Sequence, residues 1–183
     1  MSSRSFVILG GSGDIGSSVA KALREDGNQL LIASRPSRRL EEIAEKLDCP
    51  AVELDASCPN EVLACLERAS AEFGQVDGVV NCVGSILLKP AHLTTEQEWS
   101  DTIATNLTSA FATVRAAAKT MLKRGGSVVL VSSAAADVGL PNHEAIAAAK
   151  AGVVGLARSA AASYATSASA FRSARSRPIT ERR

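Results

Sequence analysis

Five short apolar runs, each separated from the next by a longer stretch with helical spacing, constrain this chain more than any other feature. FVILG (6–10), QLLIAS (29–34), AVELD (51–55), DGVVNCVG (77–84) and SVVLVSS (127–133) read as strands. Their apolar residues run on with little polar alternation, so both faces of each strand are expected to be buried, as in a parallel sheet covered by helices. The helices between them start with IGSSVAKALRED, then SRRLEEIAEKL (37–47) with Ser37 as N-cap, then NEVLACLERASAEFG (60–74) closed by Gly74. A single long helix follows from about Glu96 to Lys123, stopped by Gly125 and Gly126, and an Ala-rich one over 142–165. The pattern predicts an α/β fold, a doubly wound parallel sheet of Rossmann type.

Residues 1–165 fit one such domain, and from Thr166 the texture changes. TSASAFRSARSRPITERR has no usable periodicity, so 166–183 read as a low-complexity basic tail without order. Its last twelve residues hold five Arg and one Glu, which leaves about −3 on the rest of a chain whose net charge is +1. That near balance, with aromatics at 3%, argues against a nucleic-acid partner. No apolar run approaches the ~20 residues of a bilayer span, so no membrane partner is expected. MSSRS leads straight into the first strand, which leaves no room for a signal or transit peptide. Cys49, Cys58, Cys65 and Cys82 are irregularly spaced and the chain has two His, which suits free thiols in a cytoplasmic protein and offers no metal site.

GGSGDIG (10–16) lies between the first strand and the first helix. Gly10, Gly13 and Gly16 form G-x-x-G-x-x-G, a spacing that permits a tight turn, close approach of a pyrophosphate and close helix packing. The helix N-terminus adds unpaired N–H groups and a partial positive charge. A dinucleotide is therefore expected against Gly10, Ser12, Gly13, Asp14, Ile15 and Gly16. Asp14 is at odds with a diphosphate, and its carboxylate is read as a helix N-cap turned away from the ligand. The second strand ends Ala33-Ser34-Arg35, with Arg38 and Arg39 a turn later and no acid to grip a ribose 2′-OH. Guanidinium forks match phosphate geometry, so Ser34 and Arg35 point to NADP, with NAD as the alternative.

With these motifs in order, the chain resembles the short-chain dehydrogenases/reductases over about residues 5–165, most of all the 3-oxoacyl-carrier-protein-reductase-like branch. The resemblance rests on the glycine turn, Asp55 after the third strand, NCVG (81–84), Asn106 in TNLTSAF, Ser133 in VVLVSS and Lys150 in AAAKAG. It implies that Asp55 contacts the adenine end and that Asn81 and Gly84 line the cofactor. It further implies a catalytic group of Asn106, Ser133 and Lys150 acting on a small-molecule carbonyl or alcohol. Trp99, in EWSDTIATNL, matches a packing position and is expected in the core. Pairing of copies through the helices near 96–123 and 142–164 is implied as well. Each residue alone has a plainer reading: Asp55 a strand-end cap, Asn106 a helix-interior residue, Ser133 a turn residue, Lys150 a solvated lysine.

Two departures stand out. The family's acid–base Tyr lies four residues before the Lys, one helical turn away on the same face; here that residue is Ile146, which has no proton to give. Tyr164, eighteen residues later, cannot reach back along the same helix, whereas His143 lies one turn before Ile146 and is the nearest titratable substitute. The resemblance therefore implies an NADP-dependent oxidoreductase, with a catalytically impaired or inactive NAD(P)-binding protein as the alternative. Second, members of the family continue with a sixth strand beginning G-I-R-V. If Ser167–Phe171 are encoded TCG GCA TCC GCG TTC, the frame two bases on reads G-I-R-V, which makes the tail a shifted-frame product. Without that strand, 127–133 would be an exposed sheet edge and the nicotinamide half of the pocket would lack a wall.

Overall fold

A computed structural model describes residues 3–164 and 169–175. The strands are β1 (Ser5–Leu9), β2 (Gln29–Ser34), β3 (Ala51–Glu53), β4 (Gly78–Asn81), β5 (Gly126–Ser132) and β6 (Ser169–Arg175). The helices are α1 (Asp14–Glu25), α2 (Arg38–Leu47), α3 (Pro59–Phe73), α4 (Glu96–Ile103), α5 (Ser109–Met121) and α6 (Glu144–Ser163). All pairings are parallel, in the order β3-β2-β1-β4-β5-β6. The chain winds outward from β1 to β3, then crosses back so that β4 lies on the other side of β1. That reversal opens a crevice beyond the carboxyl ends of β1 and β4, where ligands of doubly wound sheets bind.

Strand alternation sorts the core onto the two faces of the sheet. Val7, Leu9, Leu31 and Ala33 join Val62, Leu66 and Ala69 of α3, the Ala-rich face of α5, and Val153 and Ala157 of α6. Ile8, Leu30 and Ile32 face the other way, against Ala20 of α1 and Leu40 of α2. Ser37 caps α2 by accepting from the Leu40 N–H at 3.2 Å, and Gly74 closes α3 at φ +81°. By length and composition α6 could cross a membrane, yet eight of its residues, Lys150 included, are buried against this domain, as in a core helix.

Three expectations need correction. Ser169–Arg175 were expected to be structureless and β5 to be an open edge, but they form β6, paired with β5 from Gly126↔Ser169 to Ser132↔Arg175. The ladder is made by main-chain groups, so it needs none of the hydrophobic periodicity that the sequence lacks there. The rest of the tail, 165–168 and 176–183, lies outside the described residues. The single helix expected over 96–123 is interrupted by a π-helical turn at Ala104–Thr108. Asn106 explains it: its side-chain amide donates to the Thr102 carbonyl at 3.0 Å, the acceptor its own N–H would use in a regular helix. Finally, Trp99 is 45% exposed rather than buried, because α4 turns only Thr102 inward.

Candidate active site

The glycine turn is built by steric necessity. Gly10 has φ +77°, and a Cβ there would lie 2.9 Å from the main chain of both Cys82 and Val83, so the exits of β1 and β4 touch. A Cβ on Gly16 would lie 2.1 Å from the Gly10 carbonyl oxygen, which holds α1 tight under the turn. Gly10 and Gly11 donate their N–H groups to the Ala33 carbonyl at 2.7 and 3.0 Å, anchoring the turn to β2. α1 begins from Gly13, which brings no side chain to its first N–H groups, whereas Ser37 and Thr95 cap α2 and α4. An uncapped N-terminus over a turn that excludes Cβ atoms is a place where a diphosphate fits. Ser12 is half-buried and Ile15 is 58% exposed at the head of the helix.

Asp14 was expected to be the N-cap. Gly13 occupies that place, and Asp14 is the first residue of the helix, its carboxylate paired with the Arg39 guanidinium. The missed signal was one of geometry between elements: the first turns of α1 and α2 follow neighbouring strands, which brings residues 25 apart together. Arg38 pairs with Glu42 on its own helix at 2.8 Å. Ser34 is buried and its Oγ donates to the Arg35 carbonyl at 3.1 Å; the exposed Arg35 side chain makes no hydrogen bond or ion pair among the described residues. Asp55 lies in the turn after β3, where its Oδ1 accepts from the Ser57 N–H and hydroxyl at 2.9 and 2.8 Å. Those bonds, with a smaller pull from Arg35, hold its carboxyl below the usual range.

Asn81, Gly84 and Ser133 lie at the ends of β4 and β5, where Asn106 of the π-helical turn and Lys150 of α6 also reach. Asn81 is buried, its amide donating to Thr113 Oγ1 at 2.9 Å and its Oδ1 accepting from the Val83 N–H at 2.8 Å. Its side chain thus fixes the β4 exit against α5. A Cβ on Gly84 would lie 3.1 Å from Asn106 Oδ1 and 3.5 Å from Lys150 Nζ, so this glycine leaves open the space on which those two side chains converge. Lys150 is buried; Nζ donates to the Val131 carbonyl at 3.0 Å and its own carbonyl accepts from Ser132 Oγ at 3.0 Å. Burial pushes the ammonium pKa down, and the neighbouring Cys82 thiol opposes that shift. Ser133 sits just past β5, its Oγ accepting from the Ala135 N–H at 3.2 Å, and its hydroxyl donates to no partner among the described residues.

Two residues of this network escaped sequence reading. Ser85 donates its N–H to Asn106 Oδ1 at 3.2 Å and accepts from Asn106 Nδ2 at 3.1 Å, and Ser132 holds the Lys150 main chain. No spacing rule pairs serines with partners on other elements; only their places beside NCVG and Ser133 could have drawn attention. The loop after β4 is held by Lys89, whose ammonium meets both Glu98 oxygens at 2.9 and 2.8 Å and whose N–H donates to the Asn142 carbonyl at 2.8 Å. Ile146 is 4% exposed, and His143 at the head of α6 has Nδ1 2.6 Å from the Pro141 carbonyl. A cleft of about 500 Å³ lies to one side, lined by Thr95, Trp99, Glu144 and Ala145 among others, and none of the expected catalytic residues lines it. Among the described residues no group of three or more His, Cys, Asp or Glu could hold a metal.

The fold and this arrangement define a doubly wound α/β domain in which Asn106 and Lys150 converge on Gly84 beyond the carboxyl end of β4. The family model described as Enoyl-(Acyl carrier protein) reductase matches residues 11–170. The chain is 34% identical over 165 residues to the 3-oxoacyl-acyl-carrier-protein reductase FabG of Staphylococcus aureus, covering 86% of this chain and 67% of that one. It is 32% identical to the D-threitol dehydrogenase of Mycolicibacterium smegmatis, spanning 63% of its length. A solved structure of an actinorhodin polyketide ketoreductase variant with NADPH superposes on 93% of this chain with a TM-score of 0.89 at 23% identity, a likeness of fold. This chain belongs to the short-chain dehydrogenase/reductase family.

Proposed function

We propose that this chain binds NADP(H) and moves hydride between the nicotinamide and the carbonyl or alcohol carbon of a small molecule. The observation that carries the reading is the convergence of Asn106 and Lys150 on Gly84, in the same crevice as a glycine turn with no room for Cβ atoms at Gly10 and Gly16. The names of its relatives, reductases and a dehydrogenase, support it. Gly10, Ser12, Gly13, Ile15 and Gly16 would hold the diphosphate, Ser34 and Arg35 the adenosine ribose end, and Asp55 the adenine end. When bound, the nicotinamide supplies the hydride. Ser133, whose hydroxyl donates to no partner among the described residues, would donate to the carbonyl oxygen; Lys150 would position the ribose and add positive charge where the alkoxide develops. Asn106 orients the loop after β4 and a relay water. Four free thiols suit a cytoplasmic setting, and the exposed Phe111 of α5 and Leu122 just after it suit pairing of copies through that helix.

The proton is the weak point. A buried Ile146 stands where the acid is needed, and loss of general acid catalysis slows such a reaction by about 10²–10⁴-fold. His143, with Nδ1 engaged by Pro141, could donate from Nε2 only as the imidazolium. This observation favours a second reading, a cofactor-binding domain with little or no turnover. An Ile146→Tyr exchange separates the two. If wild type and variant bind NADPH alike and only the variant reduces an acetoacetyl thioester, the native chain is a binder; comparable turnover by wild type establishes the oxidoreductase with its proton from another source.

A further inference from the structure

The acidic residue in the glycine turn carries an inference that rests on the dinucleotide reading and deepens it. Asp14 is the first residue of α1, at the end of the helix where the dipole would draw a diphosphate. A bare carboxylate there works against such a ligand; a like charge several ångströms away, partly screened, changes affinity by about tenfold. Arg39 answers it, reaching from the first turn of α2 to place Nη2 on Asp14 Oδ1. For the fold alone this pair matters little, because both side chains are exposed. Its position matters more: it spans the exits of the adjacent strands β1 and β2, along the path a dinucleotide takes between diphosphate and adenosine.

We propose that Arg39 is the counter-charge that makes the Asp14-bearing turn acceptable to a diphosphate, rather than the clasp of an adenosine 2′-phosphate. The other arginines fit this division. Arg38 is committed to Glu42 on its own helix. Arg35, directly after β2, has no hydrogen bond or ion pair among the described residues and stays free for a 2′-phosphate. Arg39 thus sets affinity for the part that NADPH and NADH share, and Arg35 sets the difference between them.

The test is a double-mutant cycle read by the fluorescence of bound NADPH and NADH, with circular dichroism to confirm that each protein is folded. Arg39→Gln is expected to weaken both cofactors by the same factor, about tenfold, and less at high salt, where exposed charges are screened. Adding Asp14→Asn to Arg39→Gln is expected to restore affinity to within about twofold of wild type. Arg35→Gln is expected to weaken NADPH alone. Loss of NADPH but not NADH binding in Arg39→Gln, or no rescue by Asp14→Asn, overturns the inference while leaving the dinucleotide reading in place. Wild type that binds neither cofactor overturns both.

Discussion

Lys150 Nζ lies 3.0 Å from the carbonyl oxygen of Val131, a buried ammonium held by a main-chain acceptor at the end of β5. One residue on, Ser132 holds the main chain of the same lysine. Because burial lowers its pKa in the folded state, the native protein holds that proton less firmly than the unfolded chain does. Stability assigned to this group therefore rises with pH between the folded pKa and the unfolded one, near 10.4. Lys150→Met is expected to equal or exceed wild type in urea stability at pH 7 and to lose this advantage towards pH 10, while binding NADPH much more weakly. A variant that is less stable at pH 7 and binds NADPH normally would make Lys150 a structural residue.

Asn106 satisfies the Ser85 N–H and the Thr102 carbonyl from within the π-helical turn. Asn106→Ala strands the Thr102 carbonyl in a buried place, while the Ser85 N–H, on an exposed residue, can turn to water, and the exchange is expected to cost about 1–3 kcal/mol. Ser85→Ala is expected to cost less, and the double variant less than the two single costs combined, since both remove the same bond. Chemical denaturation of the four proteins gives the coupling directly.

Gly10 and Gly27 share nearly the same left-handed φ, +77° and +78°, but only Gly10 has backbone atoms where a Cβ would go. Gly27→Ala is expected to cost about 1–2 kcal/mol, from conformation alone. Gly10→Ala adds a clash with the exit of β4 and is expected to cost clearly more. Similar denaturation midpoints for the two variants would mean that β1 and β4 are not in contact there.

The thiols should react in an order set by burial. Cys82 and Cys65 are pushed up to about 11 and about 12 by desolvation, with Lys150 pulling the first back slightly. The thiolate is the reactive form, so at pH 8 both are expected to resist iodoacetamide while the exposed Cys58 is modified first, as read by mass spectrometry.

The sheet and the glycine turn were legible because each is a local signal, an apolar run or a spacing, whereas Asn106, Ser133 and Lys150 were singled out only through the resemblance to a family, since each alone has a plainer reading. What escaped depends on contacts between elements. Asp14 finds Arg39 and Ser85 finds Asn106 only once neighbouring strands have delivered their loops to one crevice. Trp99 was expected in the core because it matches a packing position of the family, yet α4 is amphipathic in a way that leaves the indole beside a cleft. β6 carried no hydrophobic pattern, and main-chain pairing to β5 does not require one.

The account turns on a dinucleotide docking where β1 passes into α1. Titrating the wild-type chain into NADPH and following nicotinamide fluorescence tests this most directly. Saturable enhancement, reversed by added 2′,5′-ADP, is the predicted result. A flat trace at protein concentrations where the chain is folded would contradict it.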